Sequence, residues 1–344
     1  MTTDDTSLRQ VTLFIVGAVY QDFILHVDRY PFEDEKLRAN HVTKRRGGNG
    51  GNTLCVLDQF RRVKANNDQE VEVALEFVGT FAGERETAEK TSPVVMDLLK
   101  RKGISLSHSI FRGLQYETPT AWIIATPESR TIVNYNELPD LTSSEFIERL
   151  GPVLDSPSAI GGYKVWFHFE GRNPAECETM IKWLHKYRSE HISLSIYVSV
   201  EFEKPNQPEL EDRLLPLADV AFFSRIYAEA GGFADAPAGF LENIRRKAKP
   251  SAILYVLWGS GGAYGLVNGS EQESAPTSFH TPALPIQKAV DTIGAGDTFI
   301  AGVILGLAGK DASAEESAVM GCALAGTKCA QVGFDGLNAK VDMK

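Results

Sequence analysis

Near its end the chain reads Asp291-Thr292-Ile293-Gly294-Ala295-Gly296-Asp297-Thr298-Phe299, a tight glycine turn running straight into an apolar stretch. Phe299, Ile300, Val303, Ile304 and Leu307 recur at helical spacing, so the turn opens a helix. The first N–H groups of a helix lack partners inside it, and with the macrodipole they form an anion site. Gly294 and Gly296 have no side chain to keep a phosphate from the backbone. Asp297 stands beside that site, placed to take a proton from an attacking hydroxyl. An anion hole next to a base suits phosphoryl transfer to an alcohol. An ordinary glycine turn with Asp297 as helix cap accounts for the same four residues, so the rest of the chain must decide.

Arg46-Gly47-Gly48-Asn49-Gly50-Gly51-Asn52 is the other conspicuous cluster. Glycine alone reads as a flexible loop. The asparagines make the cluster more specific, because amides beside a helix start both donate to and accept from hydroxyls. A sugar needs both.

These clusters require a scaffold. Residues 11–17 form a short continuous apolar run closed by glycine, the pattern of a strand buried on both faces. Similar runs recur at 75–78, 165–169, 194–200, 220–223 and 253–258, with helical patterns between them at 52–61, 93–102, 144–150, 175–187 and 240–248. Strands alternating with helices predict an α/β fold with a mostly parallel sheet covered on both faces. Residues 25–46 and 113–136 break the rhythm, and the second reads as a hairpin turning at Pro127-Glu128-Ser129. Together they predict a small β-sheet lid over a core of residues 10–24, 47–112 and 137–340. A lid keeps water from competing for a phosphoryl group. Polar residues collect where core strands end, at Asp22, Glu170, Glu201, Ser224 and Gly259-Ser260-Gly261-Gly262. Open parallel sheets bind ligands outside those ends.

Composition narrows the choices. At 344 residues, with 43% hydrophobic and 23% charged residues, the chain is ordinary for a globular protein of one large domain and a smaller appendage. A net charge of −10 argues against nucleic acid or an anionic membrane as partner. It also gives no overall field for ATP, so a nucleotide site must rest on local donors. Cys55, Cys177, Cys322 and Cys329 show no metal-ligand spacing and read as reduced thiols of a cytoplasmic protein. The first six residues are polar and acidic, unlike a signal peptide. The uncharged run 298–309 is too short to span a bilayer, so Gly302 and Gly306 read as close helix packing. His168 lies in an apolar strand and reads as a core histidine.

Gly-Gly-Asn-x-x-Asn early and Asp-Thr-x-Gly-Ala-Gly-Asp late resemble the paired signatures of PfkB-type carbohydrate kinases, with their ribokinase-like fold. Further matching stretches include Val27-Asp28-Arg29-Tyr30-Pro31, His168-Phe169-Glu170-Gly171-Arg172-Asn173, Glu201-Phe202-Glu203-Lys204-Pro205 and Gly333-Phe334-Asp335-Gly336, so the resemblance covers residues 14–337. It is strongest to the branch that phosphorylates ketohexoses such as fructose. The resemblance implies roles. Asp297 would be the base, and Gly294, Ala295 and Gly296 the anion hole. Asp22, Gly48, Asn49 and Asn52 would bind sugar, with Arg130 reaching the phosphate region from the lid. Asp34 would approach a partner subunit's sugar site, making the lid the clasp of a homodimer. Gly262, Ser260, Arg225 and Cys322 would line the ATP side. Asp291 and the loop 333–336 would neighbour a potassium ion. ATP and magnesium complete the set.

Four departures from that pattern stand out. Gly50-Gly51 replaces a small non-glycine pair, which is expected to loosen the sugar loop. The turn 258–262 lacks acidic residues, Arg225 stands in place of a lysine, and the Asn-x-x-Glu element common in ribokinases is absent between Ser224 and Glu229, an absence that the ketohexose branch shares and that favours it. The helix N-terminus is expected to hold Asp297 ionised at neutral pH. Other readings remain open at this point: a kinase for ribose, a sugar acid or a nucleoside, or a catalytically silent sugar-binding regulator.

Overall fold

In the computed structural model, residues 9–101, 103–156, 164–205, 208–270 and 275–341 are described, and the acidic N-terminal segment lies outside them. The strands begin β1 (Arg9–Val16), β2 (Tyr20–His26), β3 (His41–Gly47), β4 (Arg62–Lys64), β5 (Glu70–Val78), β6 (Thr80–Phe81), β7 (Ile104–Ser105) and β8 (Ile110–Phe111). They continue as β9 (Thr120–Ala125), β10 (Arg130–Tyr135), β11 (Lys164–Phe169), β12 (Ser195–Phe202), β13 (Val220–Phe223), β14 (Ile253–Leu257), β15 (Ala263–Val267) and β16 (Thr277–Thr281). The first five helices are α1 (Asn49–Leu57), α2 (Arg85–Thr91), α3 (Pro93–Lys100), α4 (Ser143–Leu154) and α5 (Pro174–Glu190). The rest are α6 (Pro208–Leu214), α7 (Arg225–Ala230), α8 (Pro237–Ile244), α9 (Ala295–Ile304) and α10 (Ala314–Cys329).

The main sheet runs β16-β15-β14-β13-β12-β11-β1-β5-β4, with β7 also on β5. Strands β5, β1, β11, β12, β13 and β14 pair in parallel, and β15, β16 and β4 are antiparallel edges. Period-2 geometry explains why β1 is apolar from Val11 to Val16 with Thr12 as the single exception. Val11, Leu13 and Ile15 face one core with α1, α9 and α10, while Phe14 and Val16 face another with α4, α5 and α8. Each side is buried, and the one polar residue of this stretch, Thr12, is buried with it. His168 of β11 is fully buried; its Nδ1 meets Ser199 Oγ at 2.9 Å, and burial pushes it down to about 3, so it stays neutral.

Helices α9 and α10 approach closely because both carry glycine at the crossing. A Cβ on Gly302 would stand 2.7 Å from the Gly321 Cα, and one on Gly306 would stand 2.5 Å from Ser317 Oγ. Both glycines serve packing, as their spacing suggested. Among the described residues, no helix is long and apolar enough to cross a membrane. We predict that Gly302→Ala costs about 1–3 kcal/mol of stability, the usual cost of overpacking a core. Urea denaturation checks it; an unchanged midpoint contradicts this helix crossing.

A second sheet, β10-β9-β2-β3, stands apart. Strand β2 pairs in parallel with β9, and the hairpin β9–β10 turns where expected. The first lid strand begins at Tyr20, inside the stretch read as core, because Tyr20 already pairs with Gly47 of β3. Ile24, Ala121 and Ile123 pack on the inner face with Ile293 from the core.

Candidate active site

The lid and the carboxyl ends of the core strands enclose a cleft of about 1100 Å³. That volume suits two substrates bound together. The structure brings Asp22, Gly48, Asn49, Asn52, Arg130, Arg225, Ser260, Gly262, Gly294, Ala295, Gly296, Asp297 and Cys322 to its walls. Asp34 is not among the lining residues. It lies exposed on the loop between β2 and β3, with φ of 60°.

The floor is the start of α9. Gly294 takes φ of 82° as the residue before the helix, and a Cβ there would strike the Phe334 ring at 2.4 Å. Only glycine fits both conditions. Gly296 has different surroundings: a Cβ there would meet only Leu257, at 3.7 Å. Its missing side chain leaves room for a ligand. The N–H groups of Gly296 and Asp297 belong to the first turn, where a helix supplies no partner.

Asp297 is buried, and its Oδ2 accepts a hydrogen bond from Asn52 Nδ2 at 2.7 Å. Burial raises its carboxyl to about 7; the Asn52 bond and Arg46 oppose the rise, while Glu203 and Glu170 add to it. This corrects the expectation that the helix N-terminus keeps it fully ionised. Desolvation, with two nearby carboxylates, outweighs the helix end. Asp22 is raised to about 6, again by burial first, with Arg45 and Arg46 opposing. It remains mostly an acceptor at neutral pH. Gly47 makes room for it, since a Cβ there would fall 2.0 Å from Asp22 Oδ1.

The glycine–asparagine cluster opens α1. Gly48 has φ of 93°, and a Cβ would meet the Ala18 carbonyl at 2.2 Å. Gly50 and Gly51 do not loosen the loop. A Cβ on Gly50 would stand 2.8 Å from Glu170 Oε1, and one on Gly51 would stand 2.4 Å from Arg46 Nη1. Both are glycine because charged side chains fill the space. Glu170 fixes the helix start by accepting from Gly50 N at 2.5 Å, while Ala18 N and Arg172 Nε donate to its other oxygen. Asn49 donates to Glu201 and Glu203, so its NH2 group is engaged within the protein. Glu201 is held well above the usual carboxyl range, by burial first and then by Glu203 and Asp297.

Arg130 reaches down from β10, its Nη1 donating to Thr292 Oγ1 at 3.3 Å beside the turn. At the far end Arg225 pairs with Glu229 and lies 5.3 Å over the Trp258 ring. Gly262, at φ of 86°, lets the chain pass the Thr281 carbonyl. Cys322 is a small buried wall residue, and burial pushes its thiol up to about 11.

Asp291 does not offer a free carboxylate. Its Oδ2 accepts from Arg45 at 3.0 Å, Lys328 at 2.9 Å and Gly333 N at 3.1 Å, and its Oδ1 accepts from Ile293 N. Two cations and two N–H groups saturate it; burial would raise its carboxyl, but Lys328 and Arg45 outweigh that and hold it down to about 2. These residues do not fit a potassium ion on Asp291, so that expectation is corrected. Among the described residues, no group of three or more His, Cys, Asp or Glu side chains is placed to hold a metal.

Sequence reading missed Tyr20, Glu203 and the wall formed by Leu284 and Ile286 as parts of one cleft. Tyr20 carried a local signal, standing where β1 has just ended. The wall carries none, being a loop without periodicity.

The comparisons agree with this architecture. The model of the pfkB family of carbohydrate kinases matches residues 11–338. Ketohexokinase from Mus musculus is 31% identical over 334 residues, covering 96% of this chain and 100% of that protein. Ribokinase from Giardia lamblia superposes with a TM-score of 0.70 at 15% identity, covering 96% of each chain. Arabidopsis thaliana ribokinase, complexed with ribose and ATP, does so with a TM-score of 0.64 at 17% identity, covering 93% of each. The fold is ribokinase-like, and the chain belongs to the pfkB family of carbohydrate kinases, phosphotransferases acting on sugars.

Proposed function

We propose that this kinase transfers the γ-phosphoryl group of ATP to the 1-hydroxyl of a ketohexose such as fructose. The observation that carries the reading is the buried Asp297 carboxylate, held by Asn52 beside the N–H groups of the Gly294–Gly296 turn. Asp22, the Gly48 backbone and Asn49 line the sugar end, and Gly262, Ser260, Arg225 and Cys322 the nucleotide end. The attacking hydroxyl gives its proton to Asp297 as its oxygen bonds to the γ-phosphorus and ADP leaves. The transition state is loose, so positioning and charge stabilisation matter more than proton removal. Magnesium, when bound, neutralises charge on the phosphates. It commonly keeps waters and substrate oxygens as ligands, so this chain needs no metal cage of its own. The 31% identity to ketohexokinase supports the ketohexose, and the ribokinase neighbours make ribose the reading to exclude.

Two tests follow. Asp297 is the ionised proton acceptor, so turnover should fall about tenfold per pH unit below about 7. A pH–kcat profile flat from 8 down to 5 contradicts the assignment. Arg130 offers a charge to the phosphates from the lid, so Arg130→Gln should lower kcat/KM for ATP at least about tenfold. Unchanged steady-state constants place Arg130 outside the reaction.

The outer lid face supports a homodimer. Trp122 and Val42 are each 48% exposed and Val133 is 64% exposed, an apolar strip on a sheet. A second copy would cover it, with Asp34 on the loop near the seam. The four unpaired cysteines suit a reducing compartment such as the cytoplasm.

A further inference from the structure

Arg46 is buried at the end of β3 and is not among the residues lining the cleft. Its guanidinium is fully engaged. Nε donates to Asp97 of α3 at 3.0 Å, Nη2 donates to Cys55 Sγ at 2.7 Å, and Nη1 donates to Asn52 Oδ1 at 3.2 Å. Gly51 exists as glycine to leave space for that last group. The same Asn52 then donates its Nδ2 to Asp297.

The two ends of an amide have nearly the same shape, and only their partners decide which way it points. A guanidinium has donors and no acceptor, so it accepts nothing from an NH2 group. With Arg46 at one end, Asn52 has one sensible orientation, with its carbonyl toward Arg46 and its NH2 toward the carboxylate. With Arg46 gone, the amide is free to turn. Its carbonyl would then face Asp297, an arrangement that is repulsive with a carboxylate and favourable with a carboxylic acid. Loss of Arg46 therefore favours the protonated carboxyl, which takes no proton from a sugar.

We infer that Arg46 is a positioning residue for the reaction: anchored by Asp97 and Cys55, it fixes the polarity of Asn52 and so keeps Asp297 in its proton-accepting form. The inference rests on Asp297 being the base. Other groups bear on Asp297 as well. Glu170 at the end of β11 and Glu203 just beyond β12 oppose its ionisation, Glu201 of β12 is itself pushed up by Asp297, and Thr53 of α1 binds only its backbone carbonyl. The basic residue of α10, Lys328, is engaged at Asp291. Arg46 is thus the cation acting against the Glu170 and Glu203 carboxylates.

The test is the pH profile of kcat for Arg46→Met and Arg46→Gln, compared with the native enzyme and with Asp297→Asn. In Arg46→Met the acidic limb should move up by about one pH unit, so kcat falls about fivefold at pH 7 and recovers to within about threefold at pH 9. Arg46→Gln keeps a polar but shorter and uncharged group that can offer either amide end, so its limb should move the same way. It carries the test if Arg46→Met does not fold. KM for ATP should stay within about twofold in both. A merely structural arginine would lower kcat equally at every pH. Limbs that superimpose on the native profile in a folded variant overturn the inference. If Asp297→Asn itself keeps normal turnover, the base assignment fails instead, and the two failures are distinct.

Discussion

Asp297→Asn should lower kcat by at least about a hundredfold while leaving sugar binding within about threefold of native, the share that general-base assistance typically contributes. The substitution preserves shape. The introduced amide would still accept the Asn52 hydrogen bond through its carbonyl oxygen, so the floor of the cleft keeps its contacts. The N–H groups of the Gly294–Gly296 turn also remain, because they are backbone groups fixed by the left-handed Gly294 and by Phe334 behind it. What disappears is the one oxygen able to take the hydroxyl proton. Steady-state kinetics measures the loss, and calorimetric titration of the sugar shows whether the site is intact. Near-native turnover in the purified variant removes Asp297 from the mechanism.

The same variant should be more stable than the native protein at alkaline pH. Asp297 is raised from 3.8 to about 7 by burial, so the folded state resists its ionisation more than the unfolded chain does. A carboxyl raised in this way costs nothing below its unfolded value of 3.8, where both states are protonated. The cost grows as pH rises and is complete above about 7, once the folded form has ionised too. At pH 8 it amounts to about 2–4 kcal/mol. Asp297→Asn escapes it, so its melting temperature should exceed the native one by several degrees at pH 8 and match it near pH 4. Scanning calorimetry at the two pH values checks both ends. A variant less stable at pH 8 contradicts the desolvation argument. The enzyme keeps a costly buried acid because a weakly solvated carboxylate near neutrality is a good proton acceptor.

Much of this was legible in the sequence, for identifiable reasons. Doubly buried strands such as β1 announce themselves as nearly continuous apolar runs, and Gly294 and Gly296 announce a tight turn opening α9. The hairpin around Pro127 and Ser129 was also plain. The start of the lid was not, because Tyr20, Asp22 and Ile24 alternate with residues of the other lid face only a few residues after Gly17 closes β1, too soon for the pattern to separate from the core strand. The state of Asp297 was misjudged for a different reason. A helix terminus is a local feature that a sequence shows, whereas the burial of Asp297 and its neighbours Glu170, Glu203 and Arg46 come from elements that only the fold brings together. The apparent looseness of Gly50-Gly51 failed in the same way: the bulk that fills their missing side chains belongs to Glu170 and Arg46. Asp291 looked like an open cation ligand until Arg45 and Lys328 arrived from β3 and α10.

The central claim is phosphoryl transfer from ATP to the 1-hydroxyl of a ketohexose in this cleft. It is tested most directly by incubating the enzyme with ATP, magnesium and fructose, tagatose, ribose or adenosine in turn. ADP release is followed, and the phosphorylated product is identified by NMR. We predict ADP formed in step with a ketose 1-phosphate, and a higher kcat/KM for fructose than for ribose or adenosine. Faster phosphorylation of ribose or adenosine, or sugar binding with no ADP released, would contradict it.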